Sequence, residues 1–245
     1  MKINIKKPSE KTQGRILFVF LVLCAIFLTL RIVQRVFADV CLVPTDSMEN
    51  AIMAGDRVVV RKTRNINRHD LIVFNHPGGE NVQLVKRCMG LPGDTVSIVR
   101  GAVYINGRIN IAIPTVLKSS FDYPLDFPLR TLEWNSNNFG PVITPAKGLY
   151  VPLDSVNMNL YRYAVRSEGS DVEAFYPAAE YTFLTDSYFV LGDNRGNSLD
   201  SRHWGFVSED LIVGRVVMVY FSRDAARRRI RWERIGLQIN RQLNR

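Results

Sequence analysis

A serine and a lysine set the chemical possibilities of this chain. Ser47 lies in the stretch Val43-Pro44-Thr45-Asp46-Ser47-Met48, ahead of the strand-like run Asp56-Arg57-Val58-Val59-Val60. A serine hydroxyl is a weak nucleophile until a base takes its proton. In a Pro/Thr/Asp turn it also has a plainer use, bonding to nearby backbone. The candidate base lies in Val82-Gln83-Leu84-Val85-Lys86-Arg87-Cys88-Met89. In a strand, alternate residues share a face. Lys86 then falls with Val82, Leu84 and Cys88, whereas Arg87 falls with Gln83, Val85 and Met89. A lysine on an apolar face loses hydration, which disfavours its charged form and lowers its pKa. A neutral amine near pH 7 can serve as a general base. The same position also suits an edge-strand charge, or a long stem that reaches out to water.

A third stretch, Leu191 to Gly205, reads LGDNRGNSLDSRHWG. It is too polar and too rich in glycine for a strand interior, so it is expected to be a loop. Loops this dense in donors and acceptors can hold a site together, although Asx turns with solvated ion pairs would have the same composition. The sequence contains no CxxC or HExxH, so neither a metal nor another cofactor is expected. Cys24, Cys41 and Cys88 make no disulfide framework. Free thiols are the expectation, with pairing of Cys41 and Cys88 open only if their strands are neighbours.

These residues need a scaffold, and 245 residues suffice for a substantial core. The net charge of +9 suits anionic lipid, nucleic acid or acidic partners. Residues 1–15 are basic, and Ile16 to Leu30 carries no charge. Fifteen helical residues reach roughly 22 Å, short of a ~30 Å hydrocarbon core. Ile32, Val33, Val36 and Phe37 extend the segment to 16–37 if Arg31 and Arg35 snorkel. A cleaved signal peptide or a buried helix would also be apolar. The two arginines and the lack of an A-x-A site favour an uncleaved anchor with its basic end in the cytoplasm.

Beyond the anchor, turns at Ala51–Gly55, Arg68–Asp70, Pro77–Gly79 and Leu91–Asp94 separate short apolar runs. Asn106-Gly107 after Val103–Ile105 is a hairpin signal. This pattern predicts a mostly β, antiparallel architecture. Residues 109–185 are interrupted by prolines. They allow one helix capped by Asp154 or Ser155, with Val156, Leu160, Tyr163 and Ala164 on one face and Gly169 at its end. Further strands are expected at Tyr188–Leu191 and Leu211–Phe221. The arginine-rich tail with Trp232 reads either as a solvated terminus or as a patch for the membrane interface.

Together the three stretches resemble type I signal peptidase, the bacterial Ser/Lys leader peptidase. The resemblance rests on Ser47-Met48, on Lys86-Arg87 with Gly90-Leu91-Pro92-Gly93-Asp94, and on Gly192-Asp193-Asn194-Arg195 through Asn197-Ser198, Asp200-Ser201-Arg202 and Trp204-Gly205-Phe206-Val207. It implies a membrane-bound serine endopeptidase that removes signal peptides from preproteins after small residues. Ser47 would be the nucleophile and Lys86 the base. The Ser47 N–H and the Thr45 hydroxyl would bind the oxyanion. Ser198 would orient the lysine, with the pair Asp200 and Arg202 supporting the loop. Val43, Met48, Ile52, Leu84 and Val85 would line the substrate pockets. The implied fold is an N-terminal transmembrane helix, then an antiparallel β-rich catalytic domain with an inserted second β-rich domain. The corresponding bounds are 1–15 basic N-terminus, 16–37 anchor, 38–108 and 186–223 catalytic, 109–185 inserted and 224–245 basic tail. The implied place is the bacterial cytoplasmic membrane, with the catalytic domain outside the cytoplasm. Preproteins and membrane lipid are the partners, without nucleic acid, and the chain is expected to be a monomer.

Three departures stand out: Asn50 where the family often has proline, Asp46 where it often has glycine, and Gly196 where it often has aspartate. Asp46 is expected to face solvent, since a carboxylate aimed inward would oppose an oxyanion. Rival readings are a self-cleaving repressor-type Ser/Lys protease, a signal peptidase using His69, His76 or His203 in place of lysine, and a tethered β-rich binding module with a relict site.

Overall fold

The anticipated turns do divide the chain into short strands, as seen in a computed structural model describing residues 10–110, 134–170, 179–224 and 226–239. Two compact units emerge, Met1–Asp39 and Val40–Arg245. The first carries helix α1 (Glu10–Phe37). Its large apolar side chains between Ile16 and Leu28 are exposed, Phe18 at 68% and Phe27 at 66%. Among the described residues no helix is long and apolar enough to cross a membrane. The described side chains of α1, positions 14 to 29, cover roughly 24 Å at a rise of 1.5 Å per residue. Those of Arg31, Arg35 and the apolar residues among them lie outside the described set, as do the prolines at 114, 124, 128 and 177.

After α1 the chain forms β1 (Ala38–Leu42), β2 (Asp56–Arg61), β3 (Leu71–Asn75), β4 (Gln83–Gly90), β5 (Thr95–Val99), β6 (Ala102–Ile105), β7 (Arg108–Ile109), β8 (Phe139–Ile143) and β9 (Tyr150–Leu153). It continues with α2 (Ser155–Ser167), β10 (Ala179–Thr182), β11 (Ser187–Leu191), α3 (Ser201–Trp204), β12 (Val207–Ser208), β13 (Ile212–Asp224) and β14 (Arg229–Ile230). The main sheet runs β1-β2-β13-β3-β4-β11-β12, with β14 beside β13. A smaller sheet runs β7-β6-β5-β8, and β9 pairs with β10. The described registers are antiparallel.

Local chemistry accounts for the boundaries. Asn106 and Gly107 have φ of 51° and 75° between the paired residues Ile105 and Arg108. Two consecutive positive φ values are what a tight hairpin with the strand's own twist requires. Asp154 caps α2 by accepting the Asn157 N–H at 2.8 Å. On α2, Leu160, Tyr161, Ala164 and Val165 enter one core cluster, while Tyr163 packs against another. The expected stripe is thus rotated toward Tyr161 and Val165. The Val156 side chain lies outside the described set.

Three apolar clusters hold the second unit. One mixes Met89, Val96, Phe139, Leu160, Phe183 and Phe206, drawing on both the 109–185 segment and its flanks. The second joins Val43, Met48 and Ile52 to Val58, Leu71 and Val216. The third gathers Ile72, Phe74, Cys88, Val190 and Trp204. The tail is no loose charged end over its described part. Arg234 donates to the buried carboxylate of Asp56, at 2.6 Å in its shortest contact, and Ile239 joins the second cluster at 4% exposure. Among the described residues no cysteine is in a disulfide. Burial raises the thiol pKa of Cys88 and keeps it inert.

Candidate active site

The turn bearing Ser47 is fastened at both ends. The Val43 N–H donates to Asp56 O, and the Gly55 N–H donates to Val43 O, each at 2.9 Å. Met48 and Ile52 are anchored in the second cluster at 1% and 0% exposure. The apolar residues beside the serine therefore root the loop in the core. Asp46 is exposed, as expected, and its carboxylate accepts the Ala54 N–H at 3.0 Å. That bond turns its charge back along its own loop.

Lys86 comes from β4, opposite Ile72 of β3. Its parity neighbours Leu84 and Cys88 pack with the third cluster, as alternation predicts. The pairing of β11 with β4 reaches Leu191 opposite Arg87 and ends there. The polar loop starting at Gly192 thus leaves the sheet beside Lys86. Lys86 is 3% exposed and Ser47 is 8% exposed. Lys86 Nζ lies 2.8 Å from Ser47 Oγ. Burial pulls the lysine pKa down to about 8, with Arg202 assisting and Asp200 and Asp193 opposing.

Every other expected site residue has a describable place. The Thr45 hydroxyl donates to Ser47 Oγ at 3.3 Å from an exposed position. Val43, Met48, Ile52 and Val85 share the second cluster, but Leu84, on the opposite face of β4, packs in the third. Ser198 is buried and donates to Leu199 O at 3.4 Å. Among the described hydrogen bonds it has none to Lys86. It lies against Gly192, where a Cβ would collide with both the Ser198 side chain and the Ser47 carbonyl. Asp200 caps α3 and accepts the Gly192 N–H at 3.0 Å. Arg202 Nε donates to Asp200 at 2.8 Å, and its Nη2 also reaches Arg195 O at 2.8 Å. Burial alone would raise the pKa of Asp200. The charge and hydrogen bonds of Arg202 outweigh that effect, and the carboxyl sits well below its usual range.

Sequence reasoning did not find the ties between these pieces. Arg87 forms a buried two-pronged pair with Asp193, 2.8 Å from Nε to Oδ1 and 2.5 Å from Nη2 to Oδ2. Asn194 reaches across to the Ser47 turn, its N–H donating to Ser47 O at 3.1 Å. The charged types in the motif hinted at pairing, but nothing in the linear order says which acid meets which base. The described contacts of the histidines point elsewhere: His69 to Asn110, His76 to the Trp204 ring and His203 to the Asp200 N–H.

A model of the family "Signal peptidase, peptidase S26" matches residues 14–221. Signal peptidase I of Buchnera aphidicola subsp. Acyrthosiphon pisum is 26% identical over 253 residues, covering 88% of this chain and 77% of that one. Signal peptidase I of Aquifex aeolicus is 26% identical over 228 residues, covering 86% and 84%. Signal peptidase I of Buchnera aphidicola subsp. Schizaphis graminum is 30% identical over 217 residues, covering 74% and 67%. A solved signal peptidase I from Enterococcus faecalis aligns with 62% of this chain and 96% of its own, with 23% identity and a TM-score of 0.30. That superposition is too loose to bear on the site.

Proposed function

The chain belongs to the peptidase S26 family of signal peptidases, and we propose that it removes N-terminal signal peptides from secreted preproteins by a Ser47/Lys86 dyad. The observation that carries this reading is the 2.8 Å contact between Lys86 Nζ and Ser47 Oγ, made by an amine only 3% exposed. With the amine neutral, the serine hydroxyl donates to Nζ over the same distance. Lys86 takes that proton as Ser47 attacks the scissile carbonyl. The Ser47 N–H and the Thr45 hydroxyl stabilise the oxyanion, for which Thr45 must turn from Ser47 Oγ toward substrate. The lysine then returns the proton to the departing amine. Water, deprotonated by the same lysine, releases the acyl group. Ser-Lys pairs are a recognised variant of triad chemistry.

The substrate enters as an extended peptide between β1 and the start of β4. Cys41 Sγ and Gln83 Oε1 face each other there at 3.6 Å, and the described β11 pairing covers β4 only from Arg87 onward. Backbone pairing with such edges gives affinity, and alternate side chains fall into pockets. Val43, Met48, Ile52 and Val85 form the apolar lining that favours small residues and an A-x-A rule. Leu84 flanks the entry strand from its other face.

The exposed apolar side chains of α1, behind a basic N-terminus, favour a single-pass anchor in the bacterial cytoplasmic membrane. The catalytic unit then works on the extracytoplasmic side.

The test uses the purified full chain in detergent or liposomes with a preprotein bearing an A-x-A site, and mass spectrometry to locate the cut. Wild type should cleave after that site. Ser47→Ala and Lys86→Ala should be folded and inactive. Wild-type cleavage by Lys86→Ala would remove the lysine from its role and leave the histidines to be tested next.

A further inference from the structure

We propose that Asn194 is a positioning residue that aims the Ser47 N–H at the oxyanion, with Glu49 holding its amide in place. This rests on the dyad reading above. Asn194 is 5% exposed and touches both peptide groups that flank the serine. Its backbone N–H donates to Ser47 O at 3.1 Å. Its side-chain Nδ2 donates to Asp46 O at 3.3 Å and to Glu49 Oε2 at 3.2 Å.

The geometry of the peptide bond turns these contacts into a mechanism. A trans peptide is planar, and its C=O and N–H point in opposite directions. Asp46 O and the Ser47 N–H belong to one such plane. Fixing the carbonyl therefore fixes the direction of the N–H on its far side. Asp46 O also accepts the Glu49 N–H at 3.0 Å, but that bond lies within the turn and moves with it. Asn194 belongs to the loop that leaves β11 and shares its chain direction with Asp193, itself locked to Arg87 beside Lys86. Its contacts thus reference the oxyanion donor to the same frame as the base.

Glu49 makes the arrangement one-way. An asparagine amide offers donors on one side and an acceptor on the other. Asp46 O and the Glu49 carboxylate are both acceptors, so only the NH2 can face them. Asn194→Ala keeps the backbone N–H and removes the side-chain anchor alone.

The experiment measures kcat, KM and inhibition by a peptide aldehyde carrying an A-x-A sequence, whose hemiacetal with Ser47 mimics the tetrahedral state. Asn194→Ala should lower kcat roughly 10–100-fold, less than the ~10²–10³-fold cost of deleting an oxyanion donor. KM should stay within about twofold, and the aldehyde inhibition constant should rise in step with the loss of kcat/KM. A merely structural role would not move those quantities together. Glu49→Ala should cost about threefold in kcat, with nothing added in the double variant, because coupled residues are non-additive.

Wild-type kcat in Asn194→Ala, or independent additive losses at the two positions, would overturn the proposal. If Asn194→Ala fails to fold, Glu49→Ala at its half-buried position carries the test, and wild-type kcat and aldehyde inhibition there overturn it. Cleavage by Ser47→Ala would sink the dyad reading itself. An inactive Ser47→Ala beside a fully active Asn194→Ala would sink this inference only.

Discussion

Lys86 and Arg202 are buried cations in one neighbourhood, 3% and 1% exposed, and they are treated in opposite ways. Arg202 is held in charge-assisted bonds to Asp200 and reaches the carbonyls of Ser136, Arg195 and Ser198. Lys86 touches only a hydroxyl among its described hydrogen bonds. The carboxylates that act on it at a distance, Asp200 and Asp193, are each matched by an arginine, Arg202 and Arg87. Arg202 offsets part of the pull of the two acids, burial outweighs the rest, and the lysine sits near pKa 8. A cation given its own acid stays charged and stiffens a loop. A cation denied one can lose its proton at working pH.

The largest effect should come from removing that freedom. Lys86→Arg keeps a cation that does not titrate in this range. Its cleavage rate should fall by ~10²–10⁴-fold, the usual contribution of a positioned proton acceptor. Wild-type kcat/KM should climb with pH to a plateau above about 8, where Lys86 is neutral. A profile flat from about pH 5 to 9 would contradict the lysine base.

The paired half of the comparison breaks next. Asp200→Ala leaves Arg202 buried without its acid, a change that typically costs ~3–5 kcal/mol. Urea melts at pH 7 would read it. The depressed pKa of Asp200 also fixes a sign. Its stabilisation is complete above the unfolded carboxyl pKa and fades as pH falls through the lower folded value, so the variant's deficit should shrink in acid. Asp200→Asn should in addition lower the midpoint of the activity profile, because Asp200 is the largest influence raising the pKa of Lys86. An unshifted midpoint would mean that the loop does not tune the amine.

A second buried pair sharpens the same point. Asp56 is 0% exposed, and Arg234 is its arginine partner. Arg234→Ala should cost about 3 kcal/mol, near the low end for a broken buried pair, because Asp56 keeps the Met53 N–H. Stability equal to wild type would return the tail to the solvated terminus its composition suggested.

How far the sequence could be read follows from the range of each interaction. Turn residues and alternation are local, so the Asn106-Gly107 hairpin, the strand parity of Lys86 and the Asp154 cap were all legible. The outward Asp46 followed from its charge. The pairs Arg87–Asp193, Asn194–Asp46 and Arg234–Asp56 join positions 106, 148 and 178 residues apart. Their partners are chosen by the strand order β2-β13-β3-β4-β11, which no local pattern encodes. Ser198 is instructive in a different way. The resemblance implied that it orients the lysine, and its described hydrogen bond goes to the adjacent Leu199 carbonyl. Its side chain packs against Gly192, beside the Ser47 carbonyl, a placement that tertiary structure sets.

The smallest expected change bears most directly on the comparison, since it asks what the unpaired lysine costs. A lysine pKa moved from 10.5 to about 8 corresponds to about 3 kcal/mol at ~1.36 kcal/mol per unit. Below pH 8 the amine is protonated in both states, and the folded chain bears the full cost of a buried ammonium. Between about 8 and 10.5 the folded chain has released a proton that the unfolded chain still binds, so stability rises with pH across that window. Lys86→Met keeps most of the apolar volume and removes the charge. It also forfeits the bond to Ser47, worth about 1 kcal/mol net. At pH 7 the inactive variant should therefore be about 1–2 kcal/mol more stable than wild type, and at pH 10 the margin should vanish or reverse. Urea melts at the two pH values would measure both numbers. A margin that does not change with pH would trace the stabilisation to packing, and the amine would then be as well solvated as an ordinary surface lysine.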